Sequence, residues 1–157
     1  MLSSTTSSER RSTPAERSAV ASERQATGVA RPRVLLVDDN EAMLARAKAA
    51  LTTCCDVVGT VGDGQTALVA AGALRPDVIV LDISMPGLSG LEVAFYLREV
   101  GSTAAIVFLT VHEDEEFVVA ATKAGGLGYV VKSRLMCDLM TAVRDASVGR
   151  PFVSPKL

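Results

Sequence analysis

Four short apolar runs in this chain, rich in β-branched residues, each end in a polar residue. The runs and the residues that follow them are 34–37 before Asp38 and Asp39, 78–81 before Asp82, 106–109 before Thr110, and 129–131 before Lys132. Runs of this kind are typical of buried parallel strands. Ligands of open α/β sheets bind outside the carboxyl ends of the strands. The pattern therefore predicts that three carboxylates, a hydroxyl and an ammonium meet at one edge of a sheet.

Strand-like and helix-like segments alternate from residue 33 onward. Strands are predicted over 33–38, 56–61, 77–81, 105–110 and 128–131, and helices over 41–53, 65–74, 90–100, 114–124 and 134–148. Asn40 is placed to cap the first helix, and Gly125-Gly126 to end the fourth. Glu113 to Glu116 would lie in the first turn of the fourth helix, where the helix dipole favours negative charge. Five βα units with short connections predict an α/β fold with right-handed crossovers and helices on both faces of a parallel sheet.

Two strand orders fit this alternation, a Rossmann-like 3-2-1-4-5 and a flavodoxin-like 2-1-3-4-5. Only the second makes the first and third strands neighbours, which sets Asp38 and Asp39 beside Asp82. We choose the flavodoxin-like, doubly wound order because the candidate chemistry requires it. The periodicity alone leaves both orders open.

Composition is that of an ordinary globular protein, with 48% hydrophobic and 22% charged residues in a chain of 157. A net charge of −2 gives no reason to expect nucleic-acid binding. The sequence has no apolar stretch of membrane-spanning length and no apolar core of a signal peptide. Its three cysteines are an odd number, and two are adjacent, which favours thiols in a reducing compartment over a disulfide framework. We therefore expect a cytoplasmic protein.

The chain divides into three parts by composition. Residues 1–32 are rich in Ser, Thr, Ala, Arg and Glu and poor in large aliphatic residues, so a disordered leader is predicted. Residues 33–149 form the predicted domain. Residues 150–157 are interpreted as a C-terminal tail or a truncated linker.

Four segments resemble the receiver domain, the phosphoacceptor module of two-component response regulators. They are Val37–Asp39, Asp82–Gly87, Leu109–Thr110 and Gly128–Lys132, and they occur in the family's order. Residues 109–113 and 149–155 look closest to the branch that carries LuxR-type helix-turn-helix output domains.

The resemblance implies that Asp82 accepts a phosphoryl group from a phosphohistidine of a partner histidine kinase, with Mg²⁺ as cofactor. Asp39 and Asp82 would be direct metal ligands, Asp38 would act through water, and Ser84 would contribute its backbone carbonyl. Crowded carboxylates raise one another's pKa values unless a cation offsets them, which agrees with a bound Mg²⁺.

The resemblance also assigns the polar ends of the last two strands. Lys132 and Thr110 would contact phosphoryl oxygens, and Tyr129 would be a rotating aromatic that reports phosphorylation to the face formed by helix four, strand five and helix five. His112 is interpreted as a solvated loop residue rather than a catalytic base, with an influence on water access left open. Val111, where many receivers have a small residue, would narrow access to the site; Ser133 stands where many have proline.

Two functions remain open at this point. One is a stand-alone domain whose phosphorylation switches its binding to an unidentified downstream protein. Formation of a homodimer on phosphorylation is left open. The alternative is the receiver fragment of a transcription regulator whose helix-turn-helix domain is missing from this chain, because residues 149–157 resemble a linker that leads onward. Residues 1–157 themselves hold no recognisable DNA-binding motif. A Mg²⁺-dependent phosphohydrolase is disfavoured, since such enzymes place Asp-x-Asp where this chain has Asp38-Asp39-Asn40. The protein is thus expected to catalyse only its own phosphorylation and dephosphorylation.

Overall fold

The computed structural model describes residues 31–155, so all but the last two residues of the predicted leader lie outside it. The strands are β1 Arg33–Val37, β2 Asp56–Val61, β3 Val78–Asp82, β4 Ala105–Thr110, β5 Gly128–Val131 and β6 Phe152–Val153. The helices are α1 Glu41–Leu51, α2 Gly64–Leu74, α3 Gly90–Glu99, α4 Glu115–Lys123 and α5 Leu135–Ser147. A 3₁₀ turn, Lys132–Arg134, joins β5 to α5. Each predicted strand and helix is present, with its ends within two residues of the prediction.

The strands pair in parallel in the order β2-β1-β3-β4-β5-β6. This confirms the flavodoxin-like order 2-1-3-4-5 chosen from the candidate chemistry. Val37 at the end of β1 pairs with Leu81 in β3, so Asp38 and Asp82 emerge side by side at one edge of the sheet. Leu109 pairs with Asp82, which brings the end of β4 to the same edge.

Both faces of the sheet are buried, because alternate strand residues belong to different cores. One core packs strand residues such as Leu35, Ile79 and Phe108 against α2, α3 and α4. The other packs strand residues such as Leu36 and Val80 against α1 and α5. A strand that is apolar on both faces reads as a continuous apolar run, which is why the four runs were visible in the sequence.

Local hydrogen bonds set where the helices nearest the site begin. The Asn40 side chain accepts a hydrogen bond from the Met43 amide at 3.1 Å, which confirms the predicted cap of α1. Ser89 and Glu92 form a reciprocal capping box that begins α3. Glu115 and Glu116 lie in the first turn of α4, whereas Glu113 and Asp114 precede that helix.

The C-terminal segment differs from the sequence prediction. Residues 150–157 were interpreted as a tail or linker, but Phe152–Val153 adds β6 to the sheet beside β5. The Phe152 amide donates to the Leu127 carbonyl at 3.0 Å, and the Ser154 amide donates to the Tyr129 carbonyl at 2.8 Å. A two-residue strand has no periodicity of its own, so only its pairing in the folded chain identifies it.

Candidate functional site

Three carboxylates converge where β1 and β3 end. Asp38 follows β1 and Asp82 ends β3; both are buried, with 2% and 3% of their surface exposed. Asp39 is exposed at the rim. One oxygen from each carboxylate can be chosen so that the three lie within 4.8 Å of one another. The structure therefore brings together the three acids that the sequence placed at one edge.

The Lys132 ammonium enters this cluster from the end of β5. Its Nζ lies 2.9 Å from Asp38 Oδ2 and 3.2 Å from Asp82 Oδ2, and 12% of its side chain is exposed. Burial alone would lower the pKa of Lys132, but its interactions with Asp38 and Asp82 outweigh burial and raise it. The lysine is therefore a fixed positive charge between the two buried acids.

The two buried acids differ in their partners. Asp82 Oδ1 accepts from the Ser84 amide at 3.1 Å, and its Oδ2 accepts from Lys132. Burial and the negative charge of Asp38 raise the pKa of Asp82 from 3.8 to about 6, although Lys132 and the Ser84 amide oppose the shift. Asp38 Oδ1 accepts from the Asn40 amide at 2.8 Å. An Asp82 carboxylate with a raised pKa is an anion that gains from any further positive charge placed nearby.

A cation fits this cluster. Asp38 Oδ2 is buried and forms an ion pair with the Lys132 ammonium at 2.9 Å. Asp38, Asp39 and Asp82 carry more negative charge than the single Lys132 ammonium offsets, and a cluster of carboxylates of this kind suits a hard cation with oxygen ligands. The acidic cluster could thus hold a metal ion.

Thr110 and Tyr129 lie on neighbouring strands next to the acids. Thr110 ends β4 and is fully buried, and its Oγ1 accepts from the His112 amide at 3.1 Å. Tyr129 is buried on β5, and its hydroxyl donates to the His112 carbonyl at 2.8 Å. Burial, with the charge of Asp114, raises the pKa of the Tyr129 phenol. The side chains of Thr110 and Tyr129 therefore both form hydrogen bonds with the backbone of the loop between β4 and α4.

His112 makes two side-chain contacts that the sequence does not predict. Its ring stacks on Phe117 with 3.9 Å between ring centroids, and its Nε2 lies 3.1 Å from the Ser84 hydroxyl. It therefore bridges the loops that follow β3 and β4, where a solvated side chain was expected. No spacing in the sequence signals this pair, because Ser84 and His112 meet only when β3 and β4 lie side by side.

Comparison with known proteins identifies the family. The family model of the response regulator receiver domain matches residues 34–144. The chain belongs to the response regulator receiver family. Receiver domains are signalling modules, and the chain is a response-regulator receiver domain.

Curated relatives of this receiver domain are longer proteins. The nitrate/nitrite response regulator protein NarL of Escherichia coli K12 is 36% identical over 126 residues, which cover 79% of this chain and 58% of that protein. The response regulator GacA of Pseudomonas viridiflava is 32% identical over 127 residues, 80% of this chain and 59% of the relative. The chain therefore spans about three fifths of the length of these two relatives.

Solved structures include similar receiver folds. The signal receiver domain of a response regulator described as NarL from Mycobacterium tuberculosis matches with a TM-score of 0.73 and 30% identity, covering 76% of this chain and 98% of that one. A LuxR-family two-component response regulator from Aurantimonas sp. SI85-9A1 matches with a TM-score of 0.76 and 29% identity, covering 80% of this chain and 91% of that one. The second of these belongs to the LuxR family, the branch that the sequence resembles.

One observation concerns Val111, next to the site, and a second concerns the helices. Val111 directly follows Thr110 and has 63% of its surface exposed. Across residues 31–155, no helix combines the length and the apolar character needed to cross a membrane.

Proposed function

We propose that this receiver domain is phosphorylated on Asp82 by a partner histidine kinase. A carboxylate oxygen of Asp82 forms the bond to phosphorus while the phosphorus–nitrogen bond of the kinase's phosphohistidine breaks, and the electron pair leaves with the imidazole. The observation that carries this proposal is the buried Asp82 carboxylate, with Lys132 Nζ 3.2 Å away and with Asp38 and Asp39 in the same cluster. Phosphoryl transfer passes through a loose transition state, so positioning and charge are what the protein must supply.

Mg²⁺ is the cation that we assign to the acidic cluster. Asp39 and Asp82 would bind it directly, Asp38 through water, and Ser84 through its backbone carbonyl. When bound, Mg²⁺ neutralises charge on the phosphoryl oxygens and on the carboxylates. Lys132 would supply a second positive charge to the phosphoryl oxygens, as a compact ammonium.

Thr110 and Tyr129 would convert phosphorylation into a change of surface. The Thr110 hydroxyl would donate a hydrogen bond to a phosphoryl oxygen, and because its oxygen also accepts from the His112 amide, a movement of Thr110 toward the phosphoryl group would shift the loop that Tyr129 also holds. One charge-assisted hydrogen bond contributes about 1.5–3 kcal/mol. Because reversing a two-state population from about 1:99 to 99:1 needs about 5.5 kcal/mol, Thr110 must act together with Lys132 and the added charge. The face of α4, β5 and α5 would then bind an unidentified downstream protein or a second copy of this chain.

Mass spectrometry of the intact protein tests the phosphorylation. The chain is incubated with phosphoramidate in Mg²⁺ or in EDTA, alongside Asp82→Asn and Asp77→Asn. Asp77 is an exposed acid at the opposite end of β3, so its variant makes the same chemical change away from the site. We expect one phosphoryl group on the wild type and on Asp77→Asn with Mg²⁺, and none on Asp82→Asn.

The exposed Val111 side chain offers a second arm of this test. If the wild type stays unmodified, Val111→Ala tests whether the Val111 side chain hinders access of phosphoramidate to Asp82. Modification of the variant alone would indicate steric hindrance, whereas no modification of either protein would indicate that Asp82 does not accept a phosphoryl group. Failure of both proteins would contradict the proposal. The chain is then a receiver fold without phosphoacceptor activity.

We also propose that the natural protein is a DNA-binding regulator of which this chain is the receiver part. The support is that NarL of Escherichia coli extends well beyond the matched region, and that the relative PrrA of Mycobacterium tuberculosis, of which the chain matches 51%, is a transcriptional regulatory protein. Residues 1–157 themselves would bind no nucleic acid. Reading the gene past the codon for Leu157 decides between this proposal and a stand-alone cytoplasmic switch.

A further inference from the structure

Ser154 lies outside the domain predicted from the sequence, yet it is buried, with 6% of its surface exposed. Its hydroxyl oxygen accepts a hydrogen bond from the Val131 amide at 3.1 Å. The same hydroxyl donates to Asp138 Oδ2 at 2.8 Å. Ser154 therefore links the end of β5 to the first turns of α5.

Asp138 completes this link from inside α5. It is 6% exposed and is paired with Arg134, whose Nε donates to Oδ2 at 2.7 Å and whose Nη2 donates to Oδ1 at 3.1 Å. Two parallel hydrogen bonds between a guanidinium and a carboxylate fix direction as well as distance. The hydrogen bonds from Arg134, with a further one from Ser154, hold the pKa of Asp138 below its usual range despite burial.

These contacts lie on either side of Lys132. Val131 directly precedes Lys132, and Arg134 follows it by two residues at the end of the 3₁₀ turn. Because Nζ lies 2.9 Å from Asp38 and 3.2 Å from Asp82, a shift of the Lys132 backbone must lengthen these contacts or change the conformation of the side chain. The hydrogen bonds of Ser154 and Asp138 thus fix the Val131 amide just before Lys132 and the Arg134 side chain two residues after it.

We propose that Ser154 and Asp138 are positioning residues for Lys132, so that the segment after α5 is part of the phosphorylation machinery. This inference rests on the proposed function, in which Lys132 contacts the phosphoryl group. A displacement of about 1 Å in a positioning group is enough to cost a large factor in rate. The rival explanation is that the network only stabilises the fold.

Phosphorylation rates distinguish the two explanations. Modification by phosphoramidate with Mg²⁺ is followed by intact mass in four proteins: the wild type, Ser154→Ala, Lys132→Ala and the double variant. We expect Ser154→Ala to slow the reaction about tenfold when Lys132 is present, and to change it less than about twofold in the Lys132→Ala background. Equal slowing in both backgrounds, or no slowing in either, would overturn the proposal.

Matched variants control for stability and for the chemistry of the substitution. Ser147→Ala removes a hydroxyl that donates to the Arg144 carbonyl on the exposed end of α5, and it should leave the rate unchanged. Asp138→Asn keeps an acceptor for Ser154 but loses the charge that orients Arg134, and it should show the same dependence on Lys132. Ser154→Thr keeps the hydroxyl and should restore most of the rate. Urea unfolding confirms that each variant is folded under the assay conditions.

A second readout does not depend on phosphorylation. Reductive methylation of Lys132 by formaldehyde and cyanoborohydride is measured by peptide mass, with the exposed Lys48 as internal reference. We expect Lys132 to react several-fold faster in Ser154→Ala and at the wild-type rate in Ser147→Ala. Unchanged reactivity in Ser154→Ala overturns the positioning role. A wild type that cannot be phosphorylated contradicts the proposed function and leaves this second test intact.

Discussion

Neutralising Asp82 should stabilise the metal-free protein, and the gain should grow with pH. Burial and the charge of Asp38 raise the pKa of Asp82 from 3.8 to about 6. The folded state then holds the proton more tightly than the unfolded state does, so stability falls as the pH rises between these two values. Above pH 6 Asp82 is ionised in the folded state, and this lowers the free energy of unfolding. Asp82→Asn resembles the protonated carboxyl, so its free energy of unfolding is not lowered in this way.

The magnitude follows from the two pKa values. With 3.8 in the unfolded chain and about 6 in the folded one, linkage makes the variant more stable by about 1 kcal/mol at pH 4.5 and about 3 kcal/mol at pH 7.5. The assay is urea unfolding followed by circular dichroism, in EDTA, for both proteins at both pH values. Asp77→Asn is the matched control: Asp77 is exposed at the far end of β3, and the asparagine oxygen can still accept the hydrogen bond from the Arg33 amide, so we expect a change of less than about 1 kcal/mol.

Two results would refute this reasoning. The first is an Asp82→Asn protein that is no more stable than the wild type at pH 7.5. The second is an increase in the free energy of unfolding that is the same at both pH values. Such an increase would come from packing around the introduced amide and not from removal of the charge. Either result would mean that Asp38 and burial do not strain the ionised carboxylate.

Three further outcomes follow from the same structure. Mg²⁺ should raise the melting temperature of the wild type at pH 7.5, and much less that of Asp82→Asn, as differential scanning fluorimetry would measure; equal shifts would place the ion elsewhere. Gly90→Ala should destabilise the chain by about 1–3 kcal/mol, because the added Cβ overlaps the Asp82 carbonyl. Gly72→Ala, whose Cβ meets no described atom within 4 Å, should not destabilise in the same urea titration. Asp138→Asn should cost about 1–3 kcal/mol at pH 7. Because the folded pKa of Asp138 is lowered, that cost should shrink as acid protonates the carboxylate below about pH 4, and a cost independent of pH would contradict the ion pair.

The main strands and the acidic site could be predicted because each carries its own local signal. Buried parallel strands read as short apolar runs, and the polar residue that ends each run lies at the functional edge. The strand order did not follow from periodicity; it followed from the need to bring Asp38 and Asp82 together, and the pairing of Val37 with Leu81 confirms it.

Contacts made by loops and by the C-terminal segment could not be predicted in this way. The Ser84–His112 contact joins residues 28 apart, and the Ser154–Val131 bond joins residues 23 apart. Ser84, His112 and Ser154 lie outside the helices and strands, so no periodic pattern in the sequence indicates their partners. Ser154 also resembles an ordinary linker serine until β6 pairs with β5 and buries it.

Mapping the modified residue shows whether Asp82 is the phosphoacceptor. The protein is treated with phosphoramidate and Mg²⁺ and then reduced with borohydride, which converts an aspartyl phosphate to homoserine, and the peptides are sequenced by tandem mass spectrometry. We expect homoserine at position 82 alone, dependent on Mg²⁺ and absent from the Asp82→Asn protein. Homoserine at position 38 or 39, or at none of the three acids, would contradict it.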